Sequence, residues 1–499
     1  MSQNQVPKAH QKSALKNIVQ FTSSNFYRHM LGLATAFFRP GLLGPELFGI
    51  WSLLNVIPFY ANFAHLGTRS AMRFKIAELA EKNNNSLKRY THTTLVVTLI
   101  ATTVFAAIMT GYALSTPLVS EMEYGLYAMA IIIFLNALYE HYGAEAKGYH
   151  NFTLVSQTTV IRYTLNFVFG LSFIWFWGLY GALLALGLSC FIALCFLLRK
   201  TPISTPSAAN MPLAKSLVKT GSPIMALDLV NLTLRNIDKV LVASLLGAKA
   251  LGIYAIAGIL VGVMINIPGS SREVTEQLLM AENKQAAKEA ILEQYMIKGI
   301  RLNAYLMPLV IAVMCYALPV FITWFLPAFN ESILPAQWLL IGAFFLTLSY
   351  PVRGIIVFNH WQAKASLVAF IAVLIAVLML VITLSTSNSL TSVALASSLS
   401  FVALFLLLSW FVYSRYQLPF SQFFKDVVSC LLPFSILLVS YLISLELTTL
   451  NWPILLSQLL SGLIFLLLYV PLLYRAAKSK HISLPTKLLK KLKRDKGQR

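Results

Sequence analysis

Long apolar runs recur along this chain, separated by short polar breaks and almost free of internal charge. Fourteen runs stand out, at residues 18–38, 43–66, 92–115, 122–141, 152–177, 178–198, 221–246, 249–271, 297–326, 333–357, 366–386, 390–412, 424–446 and 453–474. An α-helix of about 20 residues, rising 1.5 Å per residue, crosses the roughly 30 Å of bilayer hydrocarbon. Each run meets or approaches that length. A membrane barrel would instead show shorter segments of alternating polarity. The pattern predicts an all-α polytopic membrane protein with about 14 transmembrane helices and no loop large enough for a soluble domain.

Charge sets the orientation. Of the 39 Lys and Arg residues, 33 fall in the even-numbered loops, the span ends that adjoin them and the two tails. The odd-numbered loops and the span ends beside them hold only Arg39 and Lys249, and Arg28, Arg162, Arg235 and Lys239 lie deeper within spans. Basic loops stay on the cytoplasmic side, so both termini are expected in the cytoplasm of a bacterial inner membrane. The net charge of +21 is scattered over every inner loop, which speaks for anionic membrane lipids as partners and against nucleic acid. Trp51, Trp175, Trp177, Trp324, Trp338 and Trp452 map near outer span ends, and Trp361 and Trp410 near inner ends, as an aromatic belt would. Cys190, Cys195, Cys315 and Cys430 all lie in apolar runs and read as packing residues. No cleavable signal peptide precedes the first span.

The chain repeats itself. Leu42-Leu43-Gly44-Pro45-Glu46-Leu47-Phe48-Gly49-Ile50-Trp51 matches Leu245-Leu246-Gly247-Ala248-Lys249-Ala250-Leu251-Gly252-Ile253-Tyr254, an offset that also lays Arg69 on Arg272. That offset spans an even number of helices, so the copies keep one orientation, as in parallel transporter repeats. The expected domains are an N-terminal six-helix lobe (1–210), a C-terminal six-helix lobe (211–415), two extra transmembrane helices (416–474) and a basic cytoplasmic tail (475–499). The proline-rich stretch 201–212 is the candidate hinge. Residues 273–298 read as an amphipathic helix lying on the membrane or capping the bundle. The tail reads either as an amphipathic segment on anionic lipid or as a plain stop-transfer tail.

Charge within a span is costly and marks function by default. In the first helix Ser24, Arg28, Thr35 and Arg39 share one face. In the seventh, Asp228, Asn231, Arg235, Asp238 and Lys239 do the same, and Thr159, Arg162 and Asn166 form a shorter stripe in the fifth. Arginine presents a permanently charged planar fork suited to phosphate. Arg28, Arg235 and Arg162 are therefore candidate diphosphate-binding residues, with Ser24, Asn231 and Lys239 as polar cavity lining. Asp228 and Asp238 are candidates for ion coupling, or for neutralising Arg235 and Lys239. Glu140, His141 and Glu145 cluster near the inner end of the fourth span. They lack the convergence of a metal site, so a membrane-interface histidine is expected instead. The Gly258…Gly262 spacing permits close helix packing. No phosphate-cradling loop, nucleophile elbow or metalloprotease motif occurs, so no ATP-driven, catalytic, metal or cofactor chemistry is expected.

The segments Leu43-Gly44-Pro45-Glu46-Leu47-Phe48-Gly49-Ile50-Trp51, His65-Leu66-Gly67-Thr68-Arg69 and Asn236-Ile237-Asp238-Lys239-Val240-Leu241-Val242, with Leu246-Gly247 and Leu251-Gly252-Ile253-Tyr254, carry a family resemblance. The chain resembles the polysaccharide-biosynthesis flippases, exporters of O-antigen, teichoic or capsular repeat units, within the multidrug/oligosaccharidyl-lipid/polysaccharide superfamily. The resemblance implies two six-helix lobes around a cationic central cavity. It implies alternating access that moves an undecaprenyl-diphosphate-linked glycan from the inner to the outer leaflet, alongside other polysaccharide-assembly membrane proteins. The family's cavity cations would correspond to Arg28, Arg235 and Arg162. Two other readings compete. A cation-coupled multidrug exporter would want acidic cavity residues, whereas basic residues outnumber acidic ones within these spans. A membrane polymerase or ligase would want a long outer loop with catalytic residues, and the outer loops here are short.

Overall fold

The computed structural model describes residues 8–79, 84–149, 151–201, 210–280, 288–387, 389–448 and 452–478. Within them the chain is helical, with no strand. The helices are α1 (Lys8–Leu54), α2 (Ile57–Ala61), α3 (Thr68–Leu79), α4 (Asn84–Ser115), α5 (Ser120–Gly148), α6 (Phe152–Lys200), α7 (Met211–Leu234), α8 (Ile237–Met280), α9 (Lys288–Ile291), α10 (Lys298–Phe325), α11 (Ile333–Phe358), α12 (Gln362–Thr386), α13 (Leu390–Arg415), α14 (Phe420–Thr448) and α15 (Ile454–Lys478). Eleven helical stretches among the described residues are long and apolar enough to cross a membrane. The protein is a multi-pass membrane protein.

Three of these stretches, of 43, 49 and 59 residues, are about twice the length a crossing needs. In each, one glycine leaves helical geometry: Gly44 (φ 70°), Gly178 (φ 54°) and Gly247 (φ 86°). A side chain at such φ meets its own backbone, so only glycine adopts it freely. Gly44 and Gly247 are equivalent residues of the sequence repeat, and the two copies thus share a backbone conformation as well as a pattern.

The chain divides into two compact units, residues 1–229 and 230–499. In the first, α6 packs on α1 and α5, and α4 on α5. Tyr139, Leu154, Cys190, Ala193, Leu194 and Leu197 form the α5–α6 core. The expected inner loop 69–89 is partly helical: α3 tucks Met72 and Ile76 under Leu87 and Ala144. The motif at 65–69 explains how the chain turns into α3. Leu66 and Gly67 take positive φ, the Gly67 amide donates to His65 Nδ1 (2.9 Å), and Thr68 Oγ1 donates to the His65 carbonyl (2.6 Å). A Cβ on Gly67 or on Gly221 of α7 would overlap the other's backbone.

In the second unit α11 is buried on nearly all sides by α8, α10 and α13. Helices α14 and α15 pair with each other and lean on α10. Polar bonds lock them there: Arg301 to Asp426 (3.1 Å), Tyr316 to Ser440 (3.0 Å), and Tyr469 OH to the Tyr305 carbonyl (2.8 Å). The segment expected at 273–298 is described at both ends but not at 281–287. Its first part continues α8 to Met280, and Ile291, Met296 and Ile297 are buried, the last two in a π-helical turn packed on α11. Most of the proposed hinge (202–209) and nearly all of the basic tail (479–499) lie outside the described residues. The four cysteines are free.

Candidate functional site

The first unit contains a cavity of about 600 Å³ lined by α1, α2, α5 and α6. Arg28 and Arg162 both line it, joined by Arg39, Glu140, Asn136 and Asn166. The geometry follows from helical spacing. Arg28, Thr35 and Arg39 project from one face of α1, while Arg162, Asn166 and Gly170 fall at intervals of four along α6. Tyr27 OH and Thr164 Oγ1 hydrogen-bond across the two helices (2.9 Å).

The three arginines have different partners. The Arg162 Nη2 donates to Asn136 Oδ1 (2.9 Å), its Nη1 lies 3.8 Å from Glu140, and its guanidinium sits over the Tyr139 ring (4.5 Å). The Arg28 guanidinium touches only its neighbour His29 (3.4 Å) and the Tyr163 ring (5.8 Å), with no carboxylate partner among the described residues. The Arg39 guanidinium stacks on Trp51 at 4.2 Å, and its Nε and Nη2 have no hydrogen-bond partner. The cavity therefore offers three cations against one carboxylate. A polar anion entering it replaces the water that otherwise solvates those charges.

Arg39 and Trp51 correct the sequence reading. Arg39 was expected in an outer loop, yet α1 runs unbroken past it and buries it to 9% exposure. Trp51 was expected in the aromatic belt, and it is 3% exposed beneath Arg39. The stripe that began at Arg28 simply continues, and the polar break after residue 38 is not a loop. Trp175, Trp177, Trp324 and Trp452 are exposed, as belt residues should be. Ser24 is buried in α1 but does not line the cavity. His141 and Glu145 are buried within α5, which extends to Gly148. No group of three metal-ligating residues occurs among the described residues.

The seventh span is discontinuous. Between α7 and α8 the backbone tightens, with the Arg235 amide bonding the Leu232 carbonyl and that of Asn236 the Thr233 carbonyl. Arg235 sits at this break, half-buried, and Asn231 is buried one turn earlier. Asp228 is exposed on α7. Asp238 does not pair with Arg235. Its carboxylate accepts from Tyr254 OH (2.6 Å), Ser397 Oγ (3.2 Å) and the Lys239 amide (2.8 Å). Lys239 Nζ donates to Asn236 Oδ1 (2.9 Å), and a Cβ at Gly258 would press on the Lys239 stem at 2.7 Å. Gly258 thus makes room for a side chain, and nothing approaches Gly262. The second unit also has an apolar groove of about 610 Å³ between α10 and α15. It is lined by residues including Leu309, Val313, Val320, Trp324, Leu459 and Leu463, with no charged group.

The profile of a family described as "Polysaccharide biosynthesis protein" matches residues 41–333, more than half the chain. The chain belongs to this family. Among solved structures it is similar to one titled "Lipid II flippase MurJ, inward closed conformation", with TM-score 0.66, 14% identity, and coverage of 92% of this chain and 99% of that one. It is also similar to an inward-facing multidrug resistance MATE family transporter of the MOP superfamily, with TM-score 0.64, 15% identity, and coverage of 80% and 98%. At these identities the likeness is one of fold. No curated protein matches by sequence.

Proposed function

We propose that the chain is a flippase for an undecaprenyl-diphosphate-linked oligosaccharide, carried from the cytoplasmic to the outer leaflet without breaking a bond. The observation that carries this reading is the arginine-lined cavity of about 600 Å³ inside the first unit. Arg28 and Arg162 are assigned to the diphosphate, because their forks supply charge-assisted hydrogen bonds that a dianion needs away from bulk water. Arg235, half-buried at a helix break, is assigned the same role in the second unit. Asn231 and Lys239 are its polar neighbours in sequence, and Ser24, buried one turn before Arg28 on α1, is assigned a supporting role. The bonds around Asp238 suit a structural lock more than an exchanging ion site. The apolar groove along α15 suits the polyprenyl tail, which gains by staying out of water.

Counting each long stretch twice, at its Gly44, Gly178 or Gly247 break, gives the fourteen crossings read from the sequence. We place both termini in the cytoplasm of a bacterial inner membrane. The surplus of cations in the cavity speaks against a cationic drug as cargo. The test is reconstitution: liposomes loaded in the inner leaflet with a polyprenyl-diphosphate glycan should expose the sugar to an external lectin only when the protein is present. Exposure no faster than in protein-free liposomes would end this reading.

A further inference from the structure

Arginines line the first-unit cavity at two levels of α1. Arg28 and Arg39 are eleven residues apart on an unbroken stretch of α1, roughly 16 Å at 1.5 Å per residue. That is far longer than a diphosphate. Arg39 is nine-tenths buried, lines the cavity, and has two donor atoms with no partner. Asn166 also lines the cavity, and its Oδ1 is an acceptor with no partner. The two converge: a Cβ at Gly170 would lie 3.6 Å from Arg39 Nη2 and 3.7 Å from Asn166 Oδ1. A buried guanidinium without a counter-charge is expensive, and so is a buried amide oxygen without a donor. Each is relieved by a ligand with complementary groups on adjacent atoms. Trp51 also lines the cavity, is almost wholly covered, and holds the Arg39 fork against its ring, so it positions Arg39.

The geometry points to a second subsite, formed by Arg39 and Asn166, that binds an acidic sugar of the glycan, one bearing a carboxylate or phosphate substituent beside a free hydroxyl. The anionic oxygens take the Arg39 donors, and the hydroxyl donates to Asn166 Oδ1. This deepens the flippase reading and rests on it for the identity of the cargo. The diphosphate end and the acidic sugar would be read at different levels of one cavity, so the subsite selects among glycans while Arg28 and Arg162 select the lipid diphosphate.

The experiment measures binding, not transport. The full-length protein in lipid nanodiscs is titrated with glucuronate, glucose 6-phosphate and glucose, followed by saturation-transfer NMR, and with inorganic pyrophosphate, followed by calorimetry. At least one acidic sugar should bind tenfold or more tighter than glucose, and the stronger of the two names the substituent. Arg39→Ala should weaken that binding at least tenfold while pyrophosphate binding stays within twofold, which also shows that the variant is folded. Asn166→Ala should weaken it several-fold, again sparing pyrophosphate, and serves as the second variant should Arg39→Ala not fold. Equal binding of acidic and neutral sugar would overturn the subsite, as would a parallel loss of pyrophosphate in the variants. Acidic sugar that fails to bind wild-type protein while pyrophosphate binds sinks the subsite alone. Acidic sugar that binds where pyrophosphate does not leaves the subsite standing and removes the diphosphate reading.

Discussion

The two units of this chain treat buried charge in opposite ways. In the first, the arginines of α1 face a cavity and are left short of hydrogen-bonding partners: Arg28 leans on an imidazole and Arg39 on an indole. In the second, charge is folded into the packing. Asp238 is held by Tyr254 and Ser397, and Asp426 bridges Arg301 and Tyr413 (2.8 Å to the tyrosine hydroxyl). Satisfied polar groups fix one arrangement of helices. Unsatisfied ones at the wall of a cavity store an affinity that a ligand can use. Paired charge thus fixes helices around Asp238 and Asp426, while Arg28 and Arg39 keep donors that a ligand could use.

Paired substitutions break that comparison most directly. Arg28→Ala should reduce glycan export and pyrophosphate binding by roughly 10- to 100-fold, the loss expected for charged hydrogen bonds worth about 1.5–3 kcal/mol. Its unfolding temperature should barely move, since no carboxylate is orphaned. Asp238→Leu should do the reverse. It leaves the buried Tyr254 and Ser397 hydroxyls only their long mutual contact (3.4 Å), at about 1–3 kcal/mol for a lost buried partner, and should lower thermal stability while folded molecules still bind pyrophosphate. Thermal unfolding in detergent and pyrophosphate titration of both variants decide the matter; matching profiles would erase the distinction between the units.

The repeat glycines test where the units agree. Gly44→Ala and Gly247→Ala add a methyl to open space, so their cost is backbone strain alone, about 1–2 kcal/mol each. Equal shifts in unfolding temperature are expected. Gly67→Ala should cost more than either, because its methyl meets the Gly221 backbone.

The fold was legible because membrane crossing imposes length and charge asymmetry, and both survive in sequence without any knowledge of packing. The turns at Gly44 and Gly247 could be read too, as a repeat. The cavity was legible only along single helices: spacing put Arg28 with Arg39 and Arg162 with Asn166. It could not say that α1 would run on past residue 38, because a polar residue followed by proline looks like a loop, and Pro40 in fact sits inside the helix. Nor could it pair Arg39 with Trp51, or bring Asn136 of α5 to Arg162 of α6, since such contacts depend on how helices are rotated against one another. Arg235 was placed mid-helix, and the break beside it arises from local backbone and side-chain bonds that apolar periodicity does not report.

Glu140 sharpens the contrast at its weakest point. It is the one carboxylate lining the first-unit cavity, 3.8 Å from Arg162 with its side chain 38% exposed. A half-solvated pair at that distance is worth only about 0.2–1 kcal/mol. An arriving diphosphate must share Arg162 with it and feels its charge. Glu140→Gln removes the competitor and keeps the shape, so pyrophosphate should bind up to about fivefold tighter, and more so at low salt, where screening is weaker. Tighter binding need not help transport: if release limits turnover, the same variant should export glycan more slowly. Titration at two ionic strengths reads the first effect, and lectin accessibility in liposomes reads the second. Unchanged or weaker pyrophosphate binding in Glu140→Gln would mean that Arg162 is a structural partner of Glu140 and that the first unit, at this residue, behaves like the second.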